Sequence, residues 1–147
     1  MLDAASIMTR EVITVGPDAT CGEAATLMKQ EDCGSLPVVE AGRLVGIVTD
    51  RDIVIRAVAA GKDPRTCRVS EVMSADPLTV TPDDEIAQAE KVMSERQVRR
   101  LPVVRDGKLV GILVTAQIAR AESERKTGET IKEISGAASR KASHARG

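Results

Sequence analysis

Leu36-Pro-Val-Val-Glu-Ala-Gly-Arg-Leu-Val-Gly-Ile-Val48 returns 65 residues later as Leu101-Pro-Val-Val-Arg-Asp-Gly-Lys-Leu-Val-Gly-Ile-Leu113, ungapped and identical at nine of thirteen positions. The chain is therefore a duplicated small unit, and its chemistry is to be sought between the copies. Each stretch divides into two strand-like runs about a turn, Ala41-Gly42 in the first copy and Asp106-Gly107 in the second, which predicts two β-hairpins. Gly46 and Gly111 interrupt the second strand of each hairpin. Either a backbone or ligand approaches closely there, or the strand bulges.

The same offset aligns Ile7-Met8 with Val72-Met73, Thr14-Val15 with Thr79-Val80, Pro17-Asp18 with Pro82-Asp83, and Met28 with Met93. Residues 12–15 and 78–81 read as short strands, each followed by a proline-containing turn. A helix follows in both copies. Thr20 and Glu23 have capping-box spacing before the stripe Ala24, Leu27 and Met28, and Ile86, Ala89, Val92 and Met93 form the second stripe. The methionines read as core residues. After the first hairpin, residues 50–60 predict an amphipathic helix with Ile53, Val54, Ala57 and Val58 on its apolar face and Gly61 as its stop. Its counterpart spans residues 116–126; 130–134 form a short helix, and 137–147 read as frayed or disordered.

Strand, helix, strand, strand, helix in each copy defines an α/β fold of two tandem β-α-β-β-α repeats. One repeat alone exposes its apolar face, so the two are predicted to pack as a pseudo-twofold pair. The divisions are 4–67 for repeat one, 68–126 for repeat two and 127–147 for a C-terminal extension.

A chain of 147 residues has room for one compact body of two half-size units. It contains no Phe, Tyr or Trp, so a planar ligand must lie between aliphatic side chains. The same absence removes stacking platforms for single-stranded nucleic acid, and a net charge of -1 gives no general attraction for phosphate backbone. Nucleic acid is an unfavoured partner, supported only by Arg140-Lys141 and Arg146 in the tail. Cys21, Cys33 and Cys67 are odd in number and far apart in sequence, which suits a reducing compartment better than a disulfide scaffold. Cys33, before Gly34, is either a redox-sensitive surface thiol or an incidental one. The N-terminal residues lack a long apolar core, so neither a signal peptide nor a membrane anchor is expected, and the location is read as cytoplasmic. The only histidine, His144, lies in the tail, and no Cys/His spacing suits zinc. No acid, base and nucleophile are organised for catalysis, so the chain is not read as an enzyme.

Val72-Met-Ser before Pro77-Leu-Thr-Val80, the Leu-Pro-Val-Val hairpins and Gly46-Ile-Val-Thr-Asp-Arg-Asp-Ile53 together resemble the cystathionine-beta-synthase (CBS) domain family over residues 4–122. Two tandem copies resemble a CBS pair, or Bateman module. The run from Thr49 to Pro64 is similar to small stand-alone bacterial CBS-pair proteins. The resemblance implies a regulatory fold that takes AMP, ADP, ATP or S-adenosylmethionine in clefts between repeats, with no obligatory cofactor, a homodimeric assembly and an unidentified client protein.

Spacing alone reads Thr49-x-x-Asp52 as a helix cap. The resemblance reads the same pair as ligand residues, Thr49 donating its hydroxyl to phosphate and Asp52 accepting from a ribose diol, with free N–H groups at the helix start assisting. It places the base against residues of the other repeat, here Asp76, Thr81, Val98 and Arg99, with Ile47 closing an aliphatic face; Arg99 is otherwise an exposed charge. Burying about 100 Å² of apolar surface in this way contributes roughly 2.5 kcal/mol without any aromatic ring. Arg10, Arg51, Arg56, Arg99 and Arg100 are available to neutralise phosphate. In repeat two, Val114 and Gln117 stand where repeat one has Thr49 and Asp52, removing both the hydroxyl and the carboxylate. One competent cleft is expected, beside a second that is weak, empty or adapted to another ligand. The alternative is a structural or protein-interaction module with degenerate sites.

Overall fold

The computed structural model describes residues 2–134. Its elements are α1 (Ala4–Ile7), α2 (Cys21–Glu31), β1 (Ser35–Glu40), β2 (Arg43–Thr49), α3 (Asp50–Asp52), α4 (Val69–Val72), β3 (Ser74–Ala75), α5 (Ile86–Arg96), β4 (Arg100–Arg105), β5 (Lys108–Val114) and α6 (Thr115–Ile134). The residues read as a frayed tail, including His144, lie outside the described residues.

Both hairpins form, and both turns place their two central residues at positive φ: 51° and 81° at Ala41 and Gly42, 53° and 81° at Asp106 and Gly107. This is the sense of turn that matches the right-handed twist of paired strands. The hairpins meet tip to tip. Arg43 pairs with Lys108, and Leu44 N–H and Leu109 N–H donate to the carbonyls of Gly107 and Gly42, at 3.1 Å each. The resulting sheet runs β1-β2-β5-β4, with β3 paired to β2. Tandem β-α-β-β-α-like repeats are thus packed as a pair.

The repeats exchange their leading segments. Thr9 bridges Ile112 on the second hairpin, while β3 pairs Ser74 with Ile47 and Ala75 with Gly46 on the first. Ala4 and Met8 accordingly lie in a core with Val80, Met93, Leu101, Leu113 and Ile118. Val69 and Val72 lie in the other, with Cys21, Met28, Leu36, Val48, Ile53 and Cys67. The core methionines Met28 and Met93 are 6% and 1% exposed, as the helical stripes imply. Each core therefore closes only when its neighbour's leading segment is in place.

That exchange explains the two strand glycines. A Cβ at Gly46 would lie 2.8 Å from both Met73 Sδ and the Ser74 carbonyl oxygen; at Gly111 it would lie 2.6 Å from Met8 Sδ and 3.0 Å from the Thr9 carbonyl oxygen. Close backbone approach fixes the residue type. The bulge is real as well and immediately adjacent, because register skips Val45 between Leu44 and Gly46 and Val110 between Leu109 and Gly111.

Three local readings change. The first strand of each repeat is a single parallel bridge, Val15 to Val38 and Val80 to Val103, rather than a ladder. Each bridging residue forms two backbone bonds with the hairpin edge, and a proline two residues on removes the next donor. Helix 50–60 is divided: α3 is one turn, and Ile53–Val58 winds as a π-helix. Ile53 and Ala57 remain buried, whereas Val54, Ile55 and Val58 are 54%, 50% and 58% exposed, so half of the expected apolar face meets solvent. Gly61 stops the segment at φ 78°. Finally, α6 continues unbroken through 127–129 to Ile134 instead of dividing into two helices. The interior Gly128 costs about 1 kcal/mol, less than enough to break a helix with Glu and Lys formers around it.

Candidate functional site

β2 delivers Thr49 to the start of α3, where both readings of Thr49 and Asp52 must be tested. Asp52 N–H donates to Thr49 Oγ1 at 3.0 Å, and Thr49 N–H donates to Asp52 Oδ2 at 2.9 Å, a complete capping box. The cap uses the hydroxyl oxygen as acceptor, so its proton is still available for donation; Asp52 likewise retains Oδ1. Capping and ligand binding are compatible on the same two side chains.

Asp50 N–H donates to the Gly34 carbonyl at 2.9 Å, tying the helix start to the turn before β1. The equivalent bond in the other half joins Thr115 N–H to the Arg99 carbonyl at 3.0 Å. Between these ties lies a cleft of about 910 Å³, bounded by Ile47, Thr49 and Arg51 from one repeat and Val98, Arg99 and Arg100 from the other. A smaller lobe of about 430 Å³ continues past Ile47 and Val98 to Asp76, Pro77, Leu78 and Arg96. Ile47 and Val98 line both lobes and form the aliphatic waist. Both volumes fall in the range of small-ligand sites, about 300–1,000 Å³.

Five of the seven expected ligand residues, Ile47, Thr49, Asp76, Val98 and Arg99, line one or both lobes. Asp52 and Thr81 line neither. Asp52 is half-buried in its capping box, and Thr81 is an exposed turn residue whose N–H donates to Asp84 Oδ2 at 2.9 Å. Asp76 reaches its lobe from a left-handed backbone position, φ 54°.

The larger lobe is electropositive: Lys29, Arg51, Arg99 and Arg100 face Asp32 and Asp50. Of the other arginines considered for phosphate, Arg56 instead donates to the Val72 and Met73 carbonyls at 3.0 and 3.5 Å, and Arg10 to the Ala5 carbonyl at 3.3 Å. Arg56 thereby caps α4. Lys29 and Arg96 were not anticipated. They lie in the last turns of α2 and α5, and the only sequence signal for them was the 65-residue symmetry that places both helix ends beside the clefts.

The symmetry-related cleft is different in size and charge. The counterpart of the smaller lobe has about 150 Å³ against about 430 Å³, and Glu11 and Glu31 occupy the positions of Asp76 and Arg96. Gln117 Nε2 donates to Thr9 Oγ1 at 2.7 Å, crossing to the exchanged N-terminal segment instead of capping its own helix. Val114 lines this cleft where Thr49 lines the other.

The model of the CBS domain matches residues 4–58 and 69–124, one match to each half. The chain belongs to the CBS-domain family. It is a CBS pair, a Bateman module, similar to small bacterial CBS-pair proteins, and such a module is regulatory rather than catalytic. It is 43% identical over 129 residues to CBS domain-containing protein YhcV of Bacillus subtilis, covering 87% of this chain and 91% of that one. The crystal structure of Hypoxic Response Protein I with two coordinated zinc ions aligns with a TM-score of 0.75 at 42% identity, over 81% of this chain and 98% of the other. CBSX2 in complex with AMP aligns with a TM-score of 0.75 at 28% identity, over 86% and 99%. Among the described residues, no three His, Cys, Asp or Glu side chains are grouped to hold a metal, and no helix is long and apolar enough to cross a membrane.

Proposed function

We propose that this CBS pair senses an adenosine-containing nucleotide in the larger cleft and transmits its occupancy to a client protein. The observation that carries the reading is the continuity of the two lobes: aliphatic Ile47 and Val98 at the waist, Thr49 with the cations on one side, and Asp76 on the other. An adenine fits between the aliphatic pair, while its phosphates meet the hydroxyl of Thr49 and the guanidinium groups of Arg99 and Arg100. Although Asp52 lines neither lobe, we assign it to the ribose through Oδ1, the oxygen its cap leaves free. The excess of positive charge favours AMP, ADP or ATP over S-adenosylmethionine, whose sulfonium carries the opposite charge. The smaller, acidic cleft does not take the same ligand.

Signalling requires that the nucleotide bind one arrangement of the repeats more tightly than another. The mutual exchange of α1 and α4 supplies a linked arrangement. A calorimetric thermal-shift panel of AMP, ADP, ATP and S-adenosylmethionine tests the reading. A selective phosphorylated ligand at 100 times its dissociation constant raises stability by about 2.7 kcal/mol. Asp52→Ala reduces that shift by lowering affinity roughly 10-fold or more. No shift with any adenylate would leave the cleft without its assigned ligand.

A protein-interaction role is favoured by a separate observation, the exposed Val54, Ile55 and Val58 on the π-helical segment. In this reading the patch joins two copies as a homodimer or receives the client. Ile55→Glu then lowers the molecular mass seen by sedimentation to that of one chain without changing the nucleotide shift. A monomeric parent protein would remove the dimer from the proposal.

A further inference from the structure

Cys21 and Cys67 are 46 positions apart in the sequence, yet the fold brings their backbones together. Cys21 N–H donates to the Cys67 carbonyl at 2.8 Å, and the neighbouring residues Thr20 and Arg68 form an antiparallel bridge. Both thiols lie 3.8 Å from one oxygen, the Arg68 carbonyl. They are 0% and 4% exposed, whereas Cys33 stands apart at the cleft. Backbones paired in this way bring Cα atoms within the range that a disulfide spans.

We propose that Cys21 and Cys67 are an oxidisable dithiol that a hydroperoxide converts to an intramolecular disulfide. Cys67 reacts first, because it retains some exposure and Cys21 has none. Its sulfur takes one peroxide oxygen and becomes a sulfenic acid, releasing water or an alcohol. The Cys21 sulfur then attacks the Cys67 sulfur, the S–OH bond breaks, and the departing hydroxide takes the Cys21 proton as water. Two thiols and one hydroperoxide give one disulfide, one water and one water or alcohol. Burial, then the hydrogen bond from Cys67, pushes the Cys21 thiol up to about 11, so it carries its proton into the second step.

The position of the bond gives it a role. Cys21 opens α2, whose far end carries Lys29 into the larger cleft, and Cys67 leads through α4 to β3 and Asp76 in the smaller lobe. The disulfide fastens two cleft walls across the junction of the repeats. The bond itself does not depend on which ligand the cleft takes.

Hydrogen peroxide treatment of the full chain, followed by alkylation under denaturing conditions and peptide mass analysis, tests this directly. The expected product has lost about 2 Da, links the Cys21 and Cys67 peptides and leaves Cys33 alkylated. Its thermal midpoint rises by roughly 5–12 °C and returns on reduction. Cys33→Ser preserves the product and shift; Cys21→Ser loses both. If the parent and Cys33→Ser proteins leave Cys21 and Cys67 free, or if Cys33 forms the dominant cross-link, the assignment is overturned. A Cys21–Cys67 bond that lowers the midpoint would also overturn it as a fastening device.

Discussion

At Thr49, one oxygen accepts from Asp52 N–H while its proton remains available to a ligand. A sequence reading can recognise the pair but cannot decide between cap and ligand residue, since the choice depends on what lies across the cleft. Ile47 and Val98 were suggested by the resemblance to the CBS family, and the duplicated hairpins put them on opposite walls of the cleft. Thr81, suggested in the same way, follows a one-residue strand and turns to solvent. Gly46 offers the sharpest residue-level test. Gly46→Ala forces the new methyl against the Ser74 carbonyl and costs about 1–3 kcal/mol in urea denaturation, displacing β3 and the Asp76 lobe with it. Retention of parental stability would show that β3 is not held against β2 as described.

Among the elements, the hairpins and the cap of α2 follow from local sequence, whereas the π-helical segment does not. Its apolar residues satisfy a helical stripe, but winding exposes Val54 and Val58, a difference that hydrophobic spacing alone does not encode. The caps also make a pH prediction. Bonds from the Thr20 backbone and side chain hold Glu23 below the usual carboxylate range; the Arg68 backbone and then Lys62 do so for Glu71, and the side chain and then backbone of Arg65 do so for Asp63. Their folded affinities for protons are below the unfolded values, so their contribution is complete above the unfolded range and is lost as pH falls through the folded range. The thermal midpoint should therefore decline as pH falls below the ordinary carboxylate range. Glu71→Gln should flatten part of that decline, measured by calorimetry in constant salt. Lys62, raised by its hydrogen bond to Glu71, contributes below its unfolded range and is lost only in strong alkali.

For the whole molecule, the 65-residue offset revealed a pair but not the exchange that joins it. Ala4 and Met8 enter the core of the second hairpin, and Val69 and Val72 enter that of the first, because each hairpin lacks apolar cover from its own leading segment. The symmetry then breaks where the ligand chemistry begins: Thr49 against Val114, Asp52 against Gln117, Arg96 against Glu31. Those substitutions were visible in the sequence; the contrast of about 430 Å³ for the Asp76 lobe and about 150 Å³ for its counterpart was not. Isothermal titration of the full chain with AMP, ADP and ATP measures the consequence most directly. The account predicts one adenylate per chain, with binding weakened at least about 10-fold in Thr49→Val/Asp52→Gln. Two equivalent sites per chain, or unchanged affinity in the double variant, would contradict it.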